Sequence, residues 1–115
     1  MTYEGSDIMK NGFMTPPKHV NFAAKKLFGS MGEIMDGSIA YITMRGGGPT
    51  QQHTHEHNHL FIVVKGEAKV LLGEEEVIIP QDEAFLVKGM IPHSVWSNRE
   101  DETVMIGISV REKKG

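Results

Sequence analysis

Apolar residues recur in short strand-like patterns along the chain from residue 38 onward. Residues 104–110 carry Val or Ile at every second position, which predicts a β-strand because side chains alternate between the two faces of a strand. Residues 60–65 form an almost continuous apolar run of strand length, which indicates a strand buried on both faces. Two further apolar runs, residues 67–72 and 76–79, flank a Gly-Glu-Glu turn at residues 73–75 and predict a hairpin. The other strand-like runs cover residues 39–45, 85–87 and 94–96.

These runs predict about eight short strands with turns between them, the pattern of a small all-β barrel or sandwich. The barrel domain is expected to span residues 38–115. Residues 1–37 are punctuated by glycine and proline and predict an irregular N-terminal extension. Within the extension, residues 21–28 fit either a short helix ended by Gly29 or an edge strand, and the pattern does not separate the two.

Composition narrows the class of protein. A chain of 115 residues has room for one domain, and the absence of cysteine excludes disulfides, thiolate metal sites and a cysteine nucleophile. A net charge of −3 gives no excess of positive charge that would bind nucleic acid. The longest apolar run is too short to cross a bilayer, and the N-terminus lacks the pattern of a signal peptide. We therefore expect a cytoplasmic protein that binds neither nucleic acid nor membrane.

Histidine is concentrated in one segment, because four of the six histidines fall within residues 53–59. One interpretation is a solvated, histidine-rich loop. The alternative is a metal site, because side chains at positions i and i+2 of a strand point to the same face, so that His53 and His55 can offer adjacent imidazoles to one ion. Neutral imidazole is a common ligand of transition metals. Two histidines alone do not decide between these interpretations.

The spacing around these histidines resembles the first motif of the cupin family. In that motif a glycine is followed by five residues, His-x-His, three or four residues, a glutamate, six residues and a second glycine. Gly47, His53, His55 and Gly66 stand in the corresponding places, and His59 replaces the glutamate.

The second cupin motif is matched mainly through its histidine, His93. Four other places of that motif hold residues that do not match it: Asp82, Lys88, Met90 and Ser97. The resemblance covers roughly residues 38–110 and leaves about the first 30 residues outside.

The resemblance implies an antiparallel jelly-roll β-barrel, also called a double-stranded β-helix, with a metal ion near its mouth. Carried over to this chain, the metal ligands are His53, His55, His59 and His93. The manganese-binding small bacterial cupins, which have all-histidine sites, are the nearest in length and spacing. One divalent transition-metal ion per chain is expected, and an all-nitrogen ligand set leaves Mn, Fe, Ni, Zn and Cu open.

His57 is treated separately from the other histidines of the tract. Strand parity alone places it with His53 and His55, whereas the resemblance ends the strand after His55 and makes residues 56–58 a turn. His57 is then expected at the rim, either exposed or near an incoming substrate. Because no carboxylate is among the ligands, His57 and Glu56 are candidates to accept a proton.

The alternation of side chains between the two faces of a strand also predicts which residues line a substrate pocket. His59 and His93 are expected to point inward, and residues two and four positions away share their face. The predicted lining is apolar with one amide group: Gln51, Phe61, Val63 and Val95.

Three classes of function are compatible with such a site. The first is a metal-dependent oxidoreductase, most plausibly an oxygenase, that acts on a small organic molecule. The second is a non-catalytic binder or sensor of a small molecule, and the third is a metal-dependent isomerase or lyase. Small cupins usually pair, and Trp96 together with the apolar run 60–64 implies an apolar outer face, so a homodimer is expected.

Overall fold

The computed structural model describes residues 12–112 as an all-β protein built from eight strands. In chain order the strands are β1 (Glu33–Ile42), β2 (Gly47–His53), β3 (Asn58–Lys65), β4 (Glu67–Leu72), β5 (Glu75–Pro80), β6 (Ala84–Val87), β7 (His93–Ser97) and β8 (Thr103–Arg111). The described residues include no helix, so residues 21–28 form neither of the elements that the pattern allowed. They contribute one isolated bridge, between Met14 and Ala24. No stretch of residues 12–112 has the helical length and hydrophobicity that a membrane span requires.

The strands form two antiparallel sheets of four. One sheet has the order β1-β8-β3-β6 and the other has the order β2-β7-β4-β5. Apart from the β4–β5 hairpin, neighbouring strands are distant in sequence, as in a jelly roll, and the predicted all-β barrel architecture is confirmed. The core lies between the sheets and is lined by Phe61, Val63, Ala68, Val70, Ile79, Val87 and Met105.

The Val and Ile side chains of β8 lie on the opposite face from this core. Met105 packs in the core, whereas Ile108 and Val110 line a small cavity of about 150 Å³ on the outer face of the sheet together with Leu60. Residues 28–32 line the same cavity, so this part of the predicted extension lies against the barrel. β1 begins at Glu33, which places the end of the predicted extension within the first strand.

The glycine-rich segment after residue 45 starts a second strand. The sequence predicts that a strand ends at these glycines; β1 ends shortly before them, at Ile42, and β2 begins at Gly47 and pairs with β7. A Cβ atom on Gly47 would lie 2.4 Å from the carbonyl oxygen of Val95. Glycine is therefore required here for the close approach of β2 to β7, and the strand-breaking tendency of the residue is secondary.

Candidate metal centre

Five histidines converge where the two sheets meet at one end of the barrel. His53 ends β2 and stands opposite His93, which begins β7. His59 lies in β3, between Val87 of β6 and Ser109 of β8. His55 and His57 belong to the turn between β2 and β3. Each sheet therefore contributes a fixed strand position, and the turn supplies the side chains between them.

The imidazole rings are in mutual contact. The ring centroids of His53 and His93 are 4.8 Å apart, and so are those of His55 and His93. The His55 ring lies 5.2 Å from that of His59. These rings meet at steep angles of 67–77°, in the edge-to-face arrangement. The ligand nitrogens of His53, His55 and His93 lie within 4.8 Å of one another, as ligation of one ion requires.

Hydrogen bonds determine which nitrogen is free on two of the rings. Nδ1 of His93 lies 2.8 Å from the carbonyl oxygen of Ile91, and Nδ1 of His55 lies 3.0 Å from the carbonyl oxygen of His57. A carbonyl oxygen only accepts, so in each case Nδ1–H donates the bond. The neutral ring then carries its lone pair on Nε2. This is the arrangement that metal-binding histidines adopt, with one nitrogen anchored to a carbonyl and the other left for the ion.

Three of the ring nitrogens are buried and have no hydrogen-bond partner: His55 Nε2, His59 Nδ1 and His93 Nε2. A buried polar atom without a partner costs about 1–3 kcal/mol, so such atoms are rare in folded proteins. Three of them within one cluster of imidazoles require a common explanation. A divalent transition-metal ion satisfies all three lone pairs at once, and the donor set therefore fits such an ion.

The ligand nitrogens form two overlapping groups. His53, His55 and His93 place one ligand atom each within 4.8 Å of one another, and so do His55, His57 and His59. We call these groups the inner triad and the outer triad. His55 belongs to both, while the rings of His59 and His93 are 6.1 Å apart. The structure thus brings the four predicted ligands into one cluster and adds His57 to it.

The ring of His57 is stacked on that of His55. The two rings are parallel within 2° and their centroids are 4.0 Å apart. His57 is half-buried, and β2 ends at His53, two residues before the predicted break. Because the turn starts earlier, it can fold His57 back over His55.

The cluster disfavours protonation of its buried members. Burial, together with the neighbouring His55, His93 and His57, which would repel a second positive charge, lowers the pKa of His59 to about 4. Burial also lowers the pKa of His93, although its bond to the Ile91 carbonyl opposes the shift. Both rings are therefore neutral at physiological pH, the protonation state that a metal requires.

The loop between β6 and β7 holds the histidine-bearing turn in place. The Met90 amide donates to the carbonyl oxygen of His55 at 2.7 Å, and the Gly89 amide donates to Oδ1 of the buried Asn58 at 2.8 Å. A Cβ atom on Gly89 would lie 2.1 Å from the carbonyl oxygen of Glu56. Only glycine allows the two backbones to approach this closely.

We expect Gly89→Ala to displace the turn and to lower both stability and metal affinity. Overpacking of this kind costs about 1–3 kcal/mol, and the shift would move His55 and His57 away from their partners. The measurements are the free energy of unfolding and the Zn²⁺ dissociation constant. Gly29→Ala is the control, because nothing lies within 4 Å of a Cβ at that position. Equal properties of the two variants would show that the turn does not depend on this contact.

The residues predicted to line a pocket are mostly in the core. Phe61 and Val63 are buried there, and the ring of Phe61 lies 4.8 Å from that of His59. Val95 is partly buried against the same core, while Gln51 is exposed on β2. Among the predicted pocket residues, Phe61 packs against a ring of the histidine cluster, and the prediction that these residues line a pocket beside the metal is not met.

An open cavity of about 410 Å³ lies beside the outer triad. It is lined by Met35, Glu56, His57, Asn58, Arg111 and Glu112. Sequence reasoning identified Glu56 and His57 near the rim but missed Arg111, which forms an ion pair with Glu33 at 3.2 Å. Arg111 stands in a run of charged residues that resembles a solvated tail, and only its position at the end of β8 brings it to the cavity.

Comparisons with known protein families and solved structures agree with the fold described above. The family described as the cupin domain matches residues 40–111. Comparison with curated protein sequences gives no match. Among solved structures, a cupin protein from Bacteroides fragilis is similar with a TM-score of 0.61 and 11% identity over 79% of this chain and 88% of that one.

Two further structures show the same likeness. A cupin superfamily protein from Desulfitobacterium hafniense aligns with a TM-score of 0.59 and 10% identity, over 76% of this chain and 75% of that chain. A conserved protein of unknown function from Streptococcus pyogenes gives a TM-score of 0.59 and 12% identity over 68% of this chain. The match spans 65% of that protein, slightly less than two thirds of its length. At these identities the likeness establishes a shared fold.

Proposed function

This chain belongs to the cupin family, and on that premise we propose that it binds one divalent transition-metal ion through His53, His55, His59 and His93 and acts as an oxidoreductase of the oxygenase class on a small organic molecule. The observation that carries the proposal is the set of three buried ring nitrogens without hydrogen-bond partners. No protein group among the described residues satisfies them, whereas one ion would.

The ligand set favours a particular kind of chemistry. Four neutral imidazoles leave the whole +2 charge on a bound ion, which would supply a strong Lewis acid able to hold an anionic, chelating substrate. No carboxylate is among the four ligands, so a proton acceptor has to come from elsewhere. Glu56 and His57 line the adjacent cavity and are the chain's own candidates for that role.

The cavity of about 410 Å³ is the proposed substrate site. Its volume lies within the range of about 300–1,000 Å³ that small-molecule sites occupy. Met35 supplies an apolar wall, while Arg111 and Asn58 supply hydrogen-bond donors. His57 lies between this cavity and the histidine cluster, so a molecule in the cavity contacts the rim of the metal centre.

The test is anaerobic reconstitution with Fe²⁺, Mn²⁺, Ni²⁺ or Cu²⁺, followed by measurement of oxygen uptake with a panel of small diketones and related chelating acids. We expect metal-dependent uptake with at least one member of the panel. His93→Ala is the control, because it lacks a proposed ligand and retains the cavity. Binding of a panel member without uptake for any metal would instead support a non-catalytic binder or sensor.

We also propose that the protein is a homodimer, for a reason that differs from the sequence-based one. Leu60 is only 1% exposed and Trp96 is half-buried, so of the run 60–64 and Trp96 only Val64, at 46%, is an exposed apolar side chain. A group of exposed apolar side chains lies on β1, where Ile39 and Tyr41 are 56% and 65% exposed. β1 pairs with β8 on one side only and is an edge strand, a position that favours pairing with a second chain.

We expect light scattering at micromolar concentration to give a mass near twice 12.8 kDa. Ile39→Lys should shift the mass toward that of one chain, because a charge would have to be buried at the contact. Lys69→Ala, on the other sheet, is the control and should leave the mass unchanged. A native mass near 12.8 kDa would contradict the proposal.

A further inference from the structure

The outer triad is a second set of metal ligands that the proposed four-histidine site does not use as a unit. Ligand nitrogens of His55, His57 and His59 lie within 4.8 Å of one another, the same limit that the inner triad meets. His57 is half-buried, and its ring is held parallel to that of His55 at 4.0 Å. An exposed turn residue without a role would have no reason to be ordered in this way against a ligand.

His55 can serve only one of the two triads at a time. Its Nδ1–H donates to the carbonyl oxygen of His57, which leaves Nε2 as the single lone pair available to an ion. Nε2 of His55 is also one of the three buried nitrogens without a partner. Two ions therefore cannot be bound through a neutral His55 at once, and the inner and outer positions exclude each other.

We propose that His55, His57 and His59 form a second metal-binding position at the rim, which a single ion occupies in alternation with the inner position. This inference rests on the proposed metal-binding function and deepens it. The outer position faces the cavity of about 410 Å³, because His57 belongs to both. An ion can thus enter from the cavity onto the outer triad and pass to the inner one through His55, which never leaves the ion.

Mutually exclusive positions have a defined thermodynamic signature. The observed association constant is the sum of the two separate constants, so the weaker position is hidden while the stronger one is intact. Removing His57 from the native protein should then change the affinity little. Removing an inner ligand first exposes the outer position, and His57 becomes important only in that background.

The experiment is a double-mutant cycle with Zn²⁺ as the probe, measured by competition with a chromophoric chelator. The variants are His53→Ala, His57→Phe and the combination of both. His53 is exposed, so its truncation leaves the fold intact, and phenylalanine keeps a flat ring stacked on His55 while removing the ligand nitrogen. Each protein is also assayed for the number of ions bound.

We expect His57→Phe alone to weaken Zn²⁺ binding by less than about threefold. When His53 is already alanine, the same substitution should weaken Zn²⁺ binding by at least about tenfold. The effects of the two substitutions are then strongly non-additive. One ion per chain should bind throughout. Equal affinities of His53→Ala and the double variant would overturn the outer position, and so would two ions bound at once to the native chain. Failure of the native protein to bind Zn²⁺ would instead overturn the proposed function itself.

Discussion

Replacing His53 by alanine is expected to weaken metal binding at the inner position by about two orders of magnitude, so that the outer position then sets the observed affinity, about tenfold below the native value. Sites with four protein ligands bind zinc with about 10–16 kcal/mol, so one ligand accounts for about 3 kcal/mol, or roughly a hundredfold in affinity. His53 is exposed at the end of β2, and truncation there removes a ligand without opening a cavity in the core. A loss of metal in this variant therefore reports ligation and not unfolding.

His93→Ala is expected to lose metal to a similar degree, with an additional loss of stability because His93 is only 2% exposed. Elemental analysis after gel filtration and a chelator competition give the metal content and the dissociation constant. His57→Ala is the comparison, because the inner triad does not include it and the native affinity should be largely kept. Undiminished metal content in both the His53 and His93 variants would exclude the proposed ligand set.

The stability of the metal-free protein is expected to fall as the pH is lowered from about 6.5 toward 4. Histidine in the unfolded chain titrates near 6.5, whereas burial and the neighbouring imidazoles lower the pKa of His59 to about 4 in the fold. Between these values the unfolded state binds a proton that the folded state does not, so acid favours unfolding. Above pH 6.5 neither state binds it and the effect vanishes. The lowered pKa of His93 acts in the same direction.

The same shift moves proton competition for the metal to lower pH. Four free imidazoles would lose an ion steeply between about pH 6.5 and 5, but a ring that stays neutral in the fold until about pH 4 does not compete there. Melting temperature against pH, with and without chelator, separates the two effects. His59→Gln should flatten the slope of the metal-free curve, whereas His19→Gln, at an exposed site outside the cluster, should keep it. A native metal-free curve without slope over this range would contradict the lowered pKa.

The strands were predictable from sequence where local pattern and tertiary environment agree. β4 lies at the predicted residues 67–72, because a hairpin turn and its flanking alternation act within a few residues of each other. β8 was predicted as a strand, but its outward-facing Val and Ile were not, because residues 28–32 cover that face from far away in the chain. The glycine-rich start of β2 was missed because Gly47 satisfies a close contact with Val95 that only the folded structure contains.

The residues of the candidate site were also predictable only in part. Spacing brought His53, His55, His59 and His93 together as candidates, because ligand spacing reflects the strand and turn geometry of one hairpin. Nothing local indicates that His57 stacks on His55, since this depends on a turn held by Gly89 and Met90 of a distant loop. Arg111 likewise reaches the cavity only because β8 lies beside β1.

The two triads also differ in what they require of the chain before it folds. The outer triad is contained within five consecutive residues, 55–59, whereas the inner triad needs His93 from a distant strand. A denatured chain therefore keeps the outer ligands within reach of an ion and loses the inner set. Metal bound by the denatured state subtracts from the stabilisation that metal gives the fold. The rise in melting temperature on metal loading thus measures how much more tightly the assembled cluster binds metal than a short histidine peptide does. This rise is smaller than the one expected from the dissociation constant of the folded protein alone.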